Sequence, residues 1–295
     1  MISIIIPTVE VDKIDVFASS FLNYKPEIFE LVIVNQTGRE ISDFSKKIFS
    51  DFDCSYINTD RVYSAPLARN MGAKKAKYEY LLFADDDARI LDCSSKQIKC
   101  IKDAVSEGND VIVFDKGREV NNRFESYNKS SDNSLTVFNF TNFIVEWNFI
   151  ITKVLFLKVG RFPYLGPGTK RSAQCGEAFL FFAKAINNNP NIKVLRDIKI
   201  SHPDLFLTPK PSLKVYGYVY GSSYALGRSF LYFTTIAKVF WFLRFFFSLA
   251  LDIIKRPGER FPKSNDFPLS KIKIVKVKVN GFFDGVCFKK PRSRL

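Results

Sequence analysis

Three consecutive carboxylates, Asp85, Asp86 and Asp87, follow the apolar run Leu81-Leu82-Phe83-Ala84. Carboxylates this close raise one another's pKa unless a cation neutralises them. Hard oxygen ligands suit Mg²⁺ or Mn²⁺, ions that commonly also hold substrate phosphates. A solvated acidic turn or a helix N-cap is the competing reading. The single histidine, His202, stands in Ile200-Ser201-His202-Pro203. A lone His is either a satisfied structural residue or a ligand, and neutral imidazole is a competent Mn²⁺ ligand. Trp147, in Val145-Glu146-Trp147-Asn148, is either a core aromatic or an exposed ring on which a ligand stacks.

The elements that must position these groups alternate between two periods. Ile2–Ile6 is a short β-branched run ended by Pro7-Thr8, as expected of a buried parallel strand. Residues 11–23 have helical spacing. Leu31–Val34 is a second strand, followed by a helix at about 42–50 and a strand around Cys54–Ile57. Ala65-Pro66 opens a helix through Ala76, with Pro tolerated in its first turn. Tyr80–Phe83 is a strand running straight into the acidic triplet. A helix at about 95–106 leads to the strand Asp110–Phe114. Repeated βα units predict a mostly parallel sheet with helices on both faces, and ligands at the carboxyl ends of its strands. Residues 116–133 are polar and aperiodic and predict a mobile loop. Leu135–Phe138 and Phe143–Ile151 read as strands, Glu177–Ile186 as a helix, and Ile192–Leu195 and Ile198–Ser201 as two short strands.

Charge divides the chain. Residues 1–206 carry 27 basic and 26 acidic residues, whereas residues 207–295 carry 17 and four. The front is near-neutral; the rear must face something anionic. Within it, residues 229–254 are rich in Phe and Leu. Lys238, Arg244 and Asp252 interrupt the run too often for a membrane span. Thr234, Lys238, Arg244, Ser248, Asp252 and Lys255 fall within an arc of about 120° on a helical wheel, with a wide apolar face opposite. This predicts a helix lying in a membrane interface or a very apolar packed helix. Residues 268–286 place Ile272, Val275, Val279, Phe282, Phe283 and Val286 on one helical stripe, though their alternation with lysines also suits a strand.

Five cysteines at irregular spacing and one histidine point away from a structural zinc site and a disulfide framework, and toward a reducing compartment. The apolar start is five residues long and lacks a basic segment before it, unlike a secretory signal.

Four blocks in order, Ile4-Ile5-Ile6-Pro7-Thr8, Leu31-Val32-Ile33-Val34-Asn35, Ala68-Arg69-Asn70-Met71-Gly72 and Phe83-Ala84-Asp85-Asp86-Asp87, resemble the nucleotide-binding half of family 2 glycosyltransferases, which have the GT-A fold. The resemblance covers roughly residues 1–205. It implies a GT-A catalytic domain over 1–207, with a nucleotide-sugar half at 1–115 and an acceptor half at 134–207; charge and apolar periodicity add a basic, Phe-rich helical region at 208–295 that associates with a membrane. It implies that Pro7, Thr8, Glu10 and Asn35 hold the base and ribose, with Asn35 where the family usually has Asp. Arg69, Asn70 and Asp86 line the nucleotide-sugar site. Asp85 and Asp87 match the DxD pair, with Asp87 the direct metal ligand, and His202 stands where GT-A enzymes often place a further metal or diphosphate contact. Gly176-Glu177-Ala178 stands where the family commonly has Gly-Glu-Asp, which leaves Glu177 as the base candidate. The competing role for Glu177 is to cap the following helix. Trp147 falls in the acceptor half.

The function implied is an inverting glycosyltransferase dependent on Mn²⁺ or Mg²⁺. It moves a sugar from a nucleotide-sugar donor to a glycan or lipid-linked acceptor in bacterial surface-polysaccharide synthesis. It would be peripheral on an anionic membrane surface at the cytoplasmic face, without a nucleic-acid partner. The alternatives are a sugar nucleotidyltransferase, a nucleic-acid-binding protein using the basic tail, and a catalytically dead homologue motivated by Asn35 and Ala178. A nucleotidyltransferase normally has a Gly-rich basic loop after its first strand, and Pro7-Thr8-Val9-Glu10 is not one.

Overall fold

The computed structural model describes residues 1–22, 27–61, 63–91, 94–128, 133–169, 172–203 and 209–291. The chain forms two compact units: Met1–Arg161 with Asn189–Pro203, and Phe162–Asn188 with Asp204–Leu295. Residues 162–188 of the expected acceptor half therefore group with the C-terminal helices.

The first unit contains β1 (Ile2–Thr8), α1 (Ile14–Ala18), β2 (Phe29–Asn35), α2 (Asp43–Phe49), β3 (Asp53–Asn58), α3 (Ala65–Lys75), β4 (Tyr80–Phe83), β5 (Arg89–Leu91), α4 (Ser95–Ser106), β6 (Val111–Val120), β7 (Arg123–Ser126), α5 (Phe140–Phe143), β8 (Phe149–Thr152), α6 (Lys153–Lys158) and β9 (Ile192–Ser201). One sheet runs β3-β2-β1-β4-β8-β6-β9-β5, with β7 paired to β6. β1, β2, β3, β4, β6 and β9 point one way; β5, β7 and β8 run against them. This is the expected mixed, mostly parallel GT-A arrangement. All seven residues of β1 and of β2 are buried, because helices cover both faces of a parallel sheet. A methyl group on Gly72 of α3 would lie 2.3 Å from Ile5 Cγ2, so this glycine sets how closely α3 approaches β1.

Several expected elements differ. β6 continues to Val120 and turns through Asn121 and Asn122, both at positive φ, into β7. Much of the expected mobile loop is thus a hairpin; residues 129–132 of it lie outside the described residues. Leu135–Phe138 is not a strand: it leads through turns into α5. Of the expected strand 143–151 only residues 149–151 lie in a strand, β8, which runs on to Thr152. The two expected strands at 192–201 are one strand with a register break against β6 between Phe114 and Asp115.

The second unit contains α7 (Glu177–Ile186), α8 (Ser212–Ser229), α9 (Thr235–Ile254) and α10 (Lys271–Val286). α10 is a helix, and its buried face is Ile274, Val277, Gly281 and Phe282. The expected stripe is only partly correct, since Ile272 and Phe283 are exposed. The shift follows from close packing on α8: a methyl group on Gly285 would lie 2.3 Å from the Tyr224 carbonyl oxygen. Among the described residues no helix is long and apolar enough to cross a membrane. Cys54, Cys100, Cys175 and Cys287 form no disulfide; Cys93 lies outside the described residues.

Candidate active site

Strand direction assembles the site. β1, β4 and β9 all end at the same edge of the sheet, where antiparallel β8 begins. Thr8, the acidic turn after β4, His202 after β9 and Trp147 before β8 therefore converge there. The decisive contact is the β5–β9 pairing, with Arg89 opposite Ser201. Asp87 lies just before Arg89 and His202 just after Ser201, so that register brings both side chains to one end of the pair.

His202 Nε2 lies 3.0 Å from Asp87 Oδ1 and 3.5 Å from Asp85 Oδ2. Its Nδ1 is 2.8 Å from the Pro203 carbonyl oxygen. A carbonyl can only accept, so Nδ1 carries a proton and Nε2 faces the carboxylates. The imidazole stacks on Trp147, with ring centroids 5.0 Å apart and planes 7° from parallel. Trp147 is itself fixed by its neighbour: Asn148 Nδ2 donates to the carbonyls of Phe114 and Phe143, each at 2.7 Å. Trp147 is 6% exposed. Of its two sequence readings, this burial against His202 fits the core aromatic.

Arg69, on α3, is buried and donates from Nη2 to Asp85 Oδ1 at 2.5 Å. Burial works against the Asp85 charge, but Arg69 and then His202 hold its carboxyl well below the usual range. Asp86 turns the other way and accepts a hydrogen bond from Thr8 Oγ1 at 2.6 Å. Burial raises the Asp86 carboxyl to about 6, with Asp87 and Asp85 adding to the rise and Thr8 opposing it. Burial lowers the His202 pKa, but its hydrogen bonds to Asp85 and Asp87 outweigh that and raise it to about 10. A proton on Nε2 is thus favoured between the two carboxylates, and a metal ion held by the three groups would displace it. Asp85, Asp87 and His202 each offer one ligand atom within 4.8 Å of the others. Two carboxylate oxygens and an imidazole nitrogen form a donor set that fits Mn²⁺ or Mg²⁺.

The remaining expected residues are placed as follows. Pro7 is buried in β1 and Asn70 follows Arg69 on α3, half-buried. Glu10 is exposed and paired with Lys13 at 2.9 Å. Asn35 ends β2 beside a cavity of about 640 Å³, which Arg39, Lys46, Tyr56, Asn58 and Asp60 also line. Its amide closes the turn that follows: Nδ2 donates to the Arg39 carbonyl at 2.7 Å, and Oδ1 accepts from the Thr37 backbone N–H at 3.1 Å. None of Asp85, Asp87 and His202 lines that cavity.

Glu177 belongs to the second unit. It opens α7 after Gly176, which has φ +101°, and is buried. Its carboxylate rests on Gly166, which has φ +96°; a methyl group there would lie 2.4 Å from Glu177 Oε2. That Gly166 seats the Glu177 carboxylate was not legible in the sequence.

Residues 3–165 match the sequence pattern of glycosyl transferase family 2. The chain belongs to this family. It is a glycosyltransferase, and that membership displaces the nucleotidyltransferase and nucleic-acid-binding alternatives. The family 2 match spans Thr8, Arg69 and the acidic turn; His202 lies beyond it. No curated protein matches the chain in sequence. Among solved structures, Staphylococcus aureus TarS 1–349 is 19% identical with a TM-score of 0.61, covering 97% of this chain and 80% of TarS 1–349. The complex of TarS 1–349 with UDP-GlcNAc is 16% identical with a TM-score of 0.53, covering 99% and 93%. The mannosyltransferase PcManGT from Pyrobaculum calidifontis, in complex with GDP-Man and Mn²⁺, is 10% identical with a TM-score of 0.54, covering 98% and 88%. At these identities the likeness concerns the fold.

Proposed function

We propose that this family 2 enzyme transfers a sugar, with inversion, from a nucleotide-sugar donor to a glycan carried on a lipid, in bacterial surface-polysaccharide assembly. The observation that carries the donor side of this reading is the Asp85-Asp87-His202 cluster at the carboxyl edge of the sheet. Asp87, Asp85 and His202 would hold Mn²⁺ or Mg²⁺. Such an ion supplies Lewis acidity to a departing diphosphate.

The chain's own residues do the rest. Arg69 fixes the orientation of Asp85, and Thr8 fixes that of Asp86. Pro7, Thr8, Glu10, Asn35, Arg69, Asn70 and Asp86 are the proposed donor contacts. Glu177 is the proposed base: it takes the proton from the acceptor hydroxyl as that oxygen attacks the anomeric carbon. The bond from that carbon to the diphosphate breaks on the opposite face. A base must be a carboxylate or His within hydrogen-bond reach, and Glu177 is the carboxylate offered by the Gly176-Glu177-Ala178 segment. Residues 1–115 and 134–207 are the proposed donor and acceptor halves, a functional division that cuts across the two compact units. Residues 208–295, with their excess of basic side chains, are proposed to hold the enzyme on the anionic cytoplasmic face of the cell membrane.

The test is a donor screen: the full chain is incubated with a panel of nucleotide sugars and Mn²⁺, and nucleotide release is measured. Release from at least one donor is expected, and both Asp87→Ala and excess chelator should abolish it. Undiminished release in chelator would overturn the metal assignment.

A further inference from the structure

Helix α9 is mounted with its polar side toward the protein. Its buried residues are Ala237, Trp241, Phe245 and Asp252, and all four lie within the arc that carries its polar side chains. Asp252 is enclosed by ion pairs with Lys278 of α10 at 2.5 Å and with Arg260 at 2.6 Å. Ser248, on the same side, accepts from Arg260 Nη2 at 3.1 Å and from Lys278 Nζ at 2.7 Å. The opposite side is apolar and open: Ile236 is 74% exposed, Leu243 63%, Phe247 68% and Ile254 74%. These four residues form one stripe along a helix of about 30 Å. In water that orientation is the unfavourable one, since each large apolar side chain left exposed forgoes about 1.5–3 kcal/mol of burial.

We infer that this stripe of α9 inserts in the plane of one leaflet of an anionic lipid bilayer. This deepens the membrane reading given above and rests on it. Charge selects the occupant. Residues 207–295 carry 17 basic and four acidic residues. Arg244, at the edge of the polar arc, borders the stripe on α9; Lys238 is exposed elsewhere on that helix, and Lys271, Lys273 and Lys276 are exposed on α10. An apolar stripe on a helix that also carries exposed cations is the pattern of an interfacial helix. A second copy would bring the same positive surface against this one, which anionic headgroups would not. Lys238, Arg244 and the enclosed Asp252 keep the helix from spanning.

The test is sedimentation of the full chain with phosphatidylcholine vesicles, with and without phosphatidylglycerol. Wild-type protein should bind the anionic vesicles, and high salt should weaken this without abolishing it. The double variant Leu243→Glu/Phe247→Glu changes two exposed residues, so its circular dichroism and melting temperature should match wild type. Its binding should fall about tenfold or more. Independently, Phe247→Trp should add tryptophan fluorescence that doxyl-labelled lipids quench beyond the wild-type level. Binding unchanged in the double variant, or no added quenching, would overturn this face while leaving the membrane reading standing. Wild-type protein that ignores anionic vesicles would overturn both. Self-association that the double variant abolishes, without vesicle binding, would assign the stripe to a second copy.

Discussion

At the carboxyl edge of the first unit, Arg69 is 2% exposed and its charge is met by Asp85. On α9 of the second unit, Asp252 is equally enclosed, yet Leu243 and Phe247 face outward. Both regions bury charge, and both do so with partners in place. They differ in what they leave outside. The first unit leaves polar groups suited to a hydrophilic donor and a cation. The second leaves an apolar stripe bordered by Arg244. Exposed surfaces thus differ in polarity between regions of one chain, whereas enclosed charges report only that they are paired.

Glu177 and Asp252, two buried carboxylates of the second unit, allow the sharpest break of this comparison. Glu177→Gln keeps the size of the side chain resting on Gly166 but cannot accept the proton. Transfer should slow by roughly 10²–10⁴, with donor affinity nearly unchanged in a binding titration. A near-wild-type rate would reduce Glu177 to a helix-opening residue like any other and assign the base elsewhere. Asp252→Ala removes instead a charge that serves structure. It leaves Lys278 and Arg260 facing each other, and should cost about 3–5 kcal/mol in urea unfolding. A loss below about 1 kcal/mol would mean that these ions behave as a surface pair.

A pair of buried lysines, one in each unit, sharpens the same point. Burial lowers the pKa of both, but Asp252 opposes this for Lys278. Among the described residues, Lys116 Nζ donates to the carbonyls of Thr141 and Ile144, at 3.2 and 3.4 Å. Burial lowers its pKa from 10.5 to about 8, with Glu146 and Asp115 opposing. Its folded value thus lies below its unfolded one, so the charge destabilises the fold below about pH 8. That penalty is relieved between about 8 and 10.5, where the unfolded chain binds the extra proton. Lys116→Met should therefore be more stable than wild type by about 1–2 kcal/mol at pH 7, after allowing for two carbonyls left without a donor. The advantage should vanish above about pH 10.5, as followed by chemical unfolding across that range. An advantage independent of pH would show that burial does not shift the Lys116 pKa and that the gain comes from packing alone.

The smallest expected effect concerns Trp147. Loss of an outer support for a metal-ligating His commonly costs 10–100-fold in affinity. Trp147→Ala should weaken Mn²⁺ binding by about tenfold in calorimetric titration, whereas Trp147→Phe, which keeps a ring against His202, should restore most of it. Equal losses in both variants would assign the tryptophan to core packing alone.

Local chemistry was legible in the sequence. The β-branched run at Ile2–Ile6 and the apolar run at Tyr80–Phe83 made strands, and the helical periods at Ser95–Ser106 and Glu177–Ile186 made helices with those bounds. The acidic triplet, the Ala68-Arg69-Asn70 block and the lone histidine were visible as chemistry, because side-chain type and strand ends are local properties. What joined them was not. β5 is three residues long, too short to show a period, yet its register against β9 is what brings Asp87 to His202. The hairpin of β6 and β7 was hidden because polar strands at a sheet margin lack an apolar alternation. On α9 the sequence defined two faces but not which one turns inward. That choice was made by Lys278 of α10 and by Arg260, from the turn just after α9, which together enclose Asp252. Periodicity is set by neighbours along the chain, whereas pairing register and the direction a helix faces are set by partners that only the folded chain brings together.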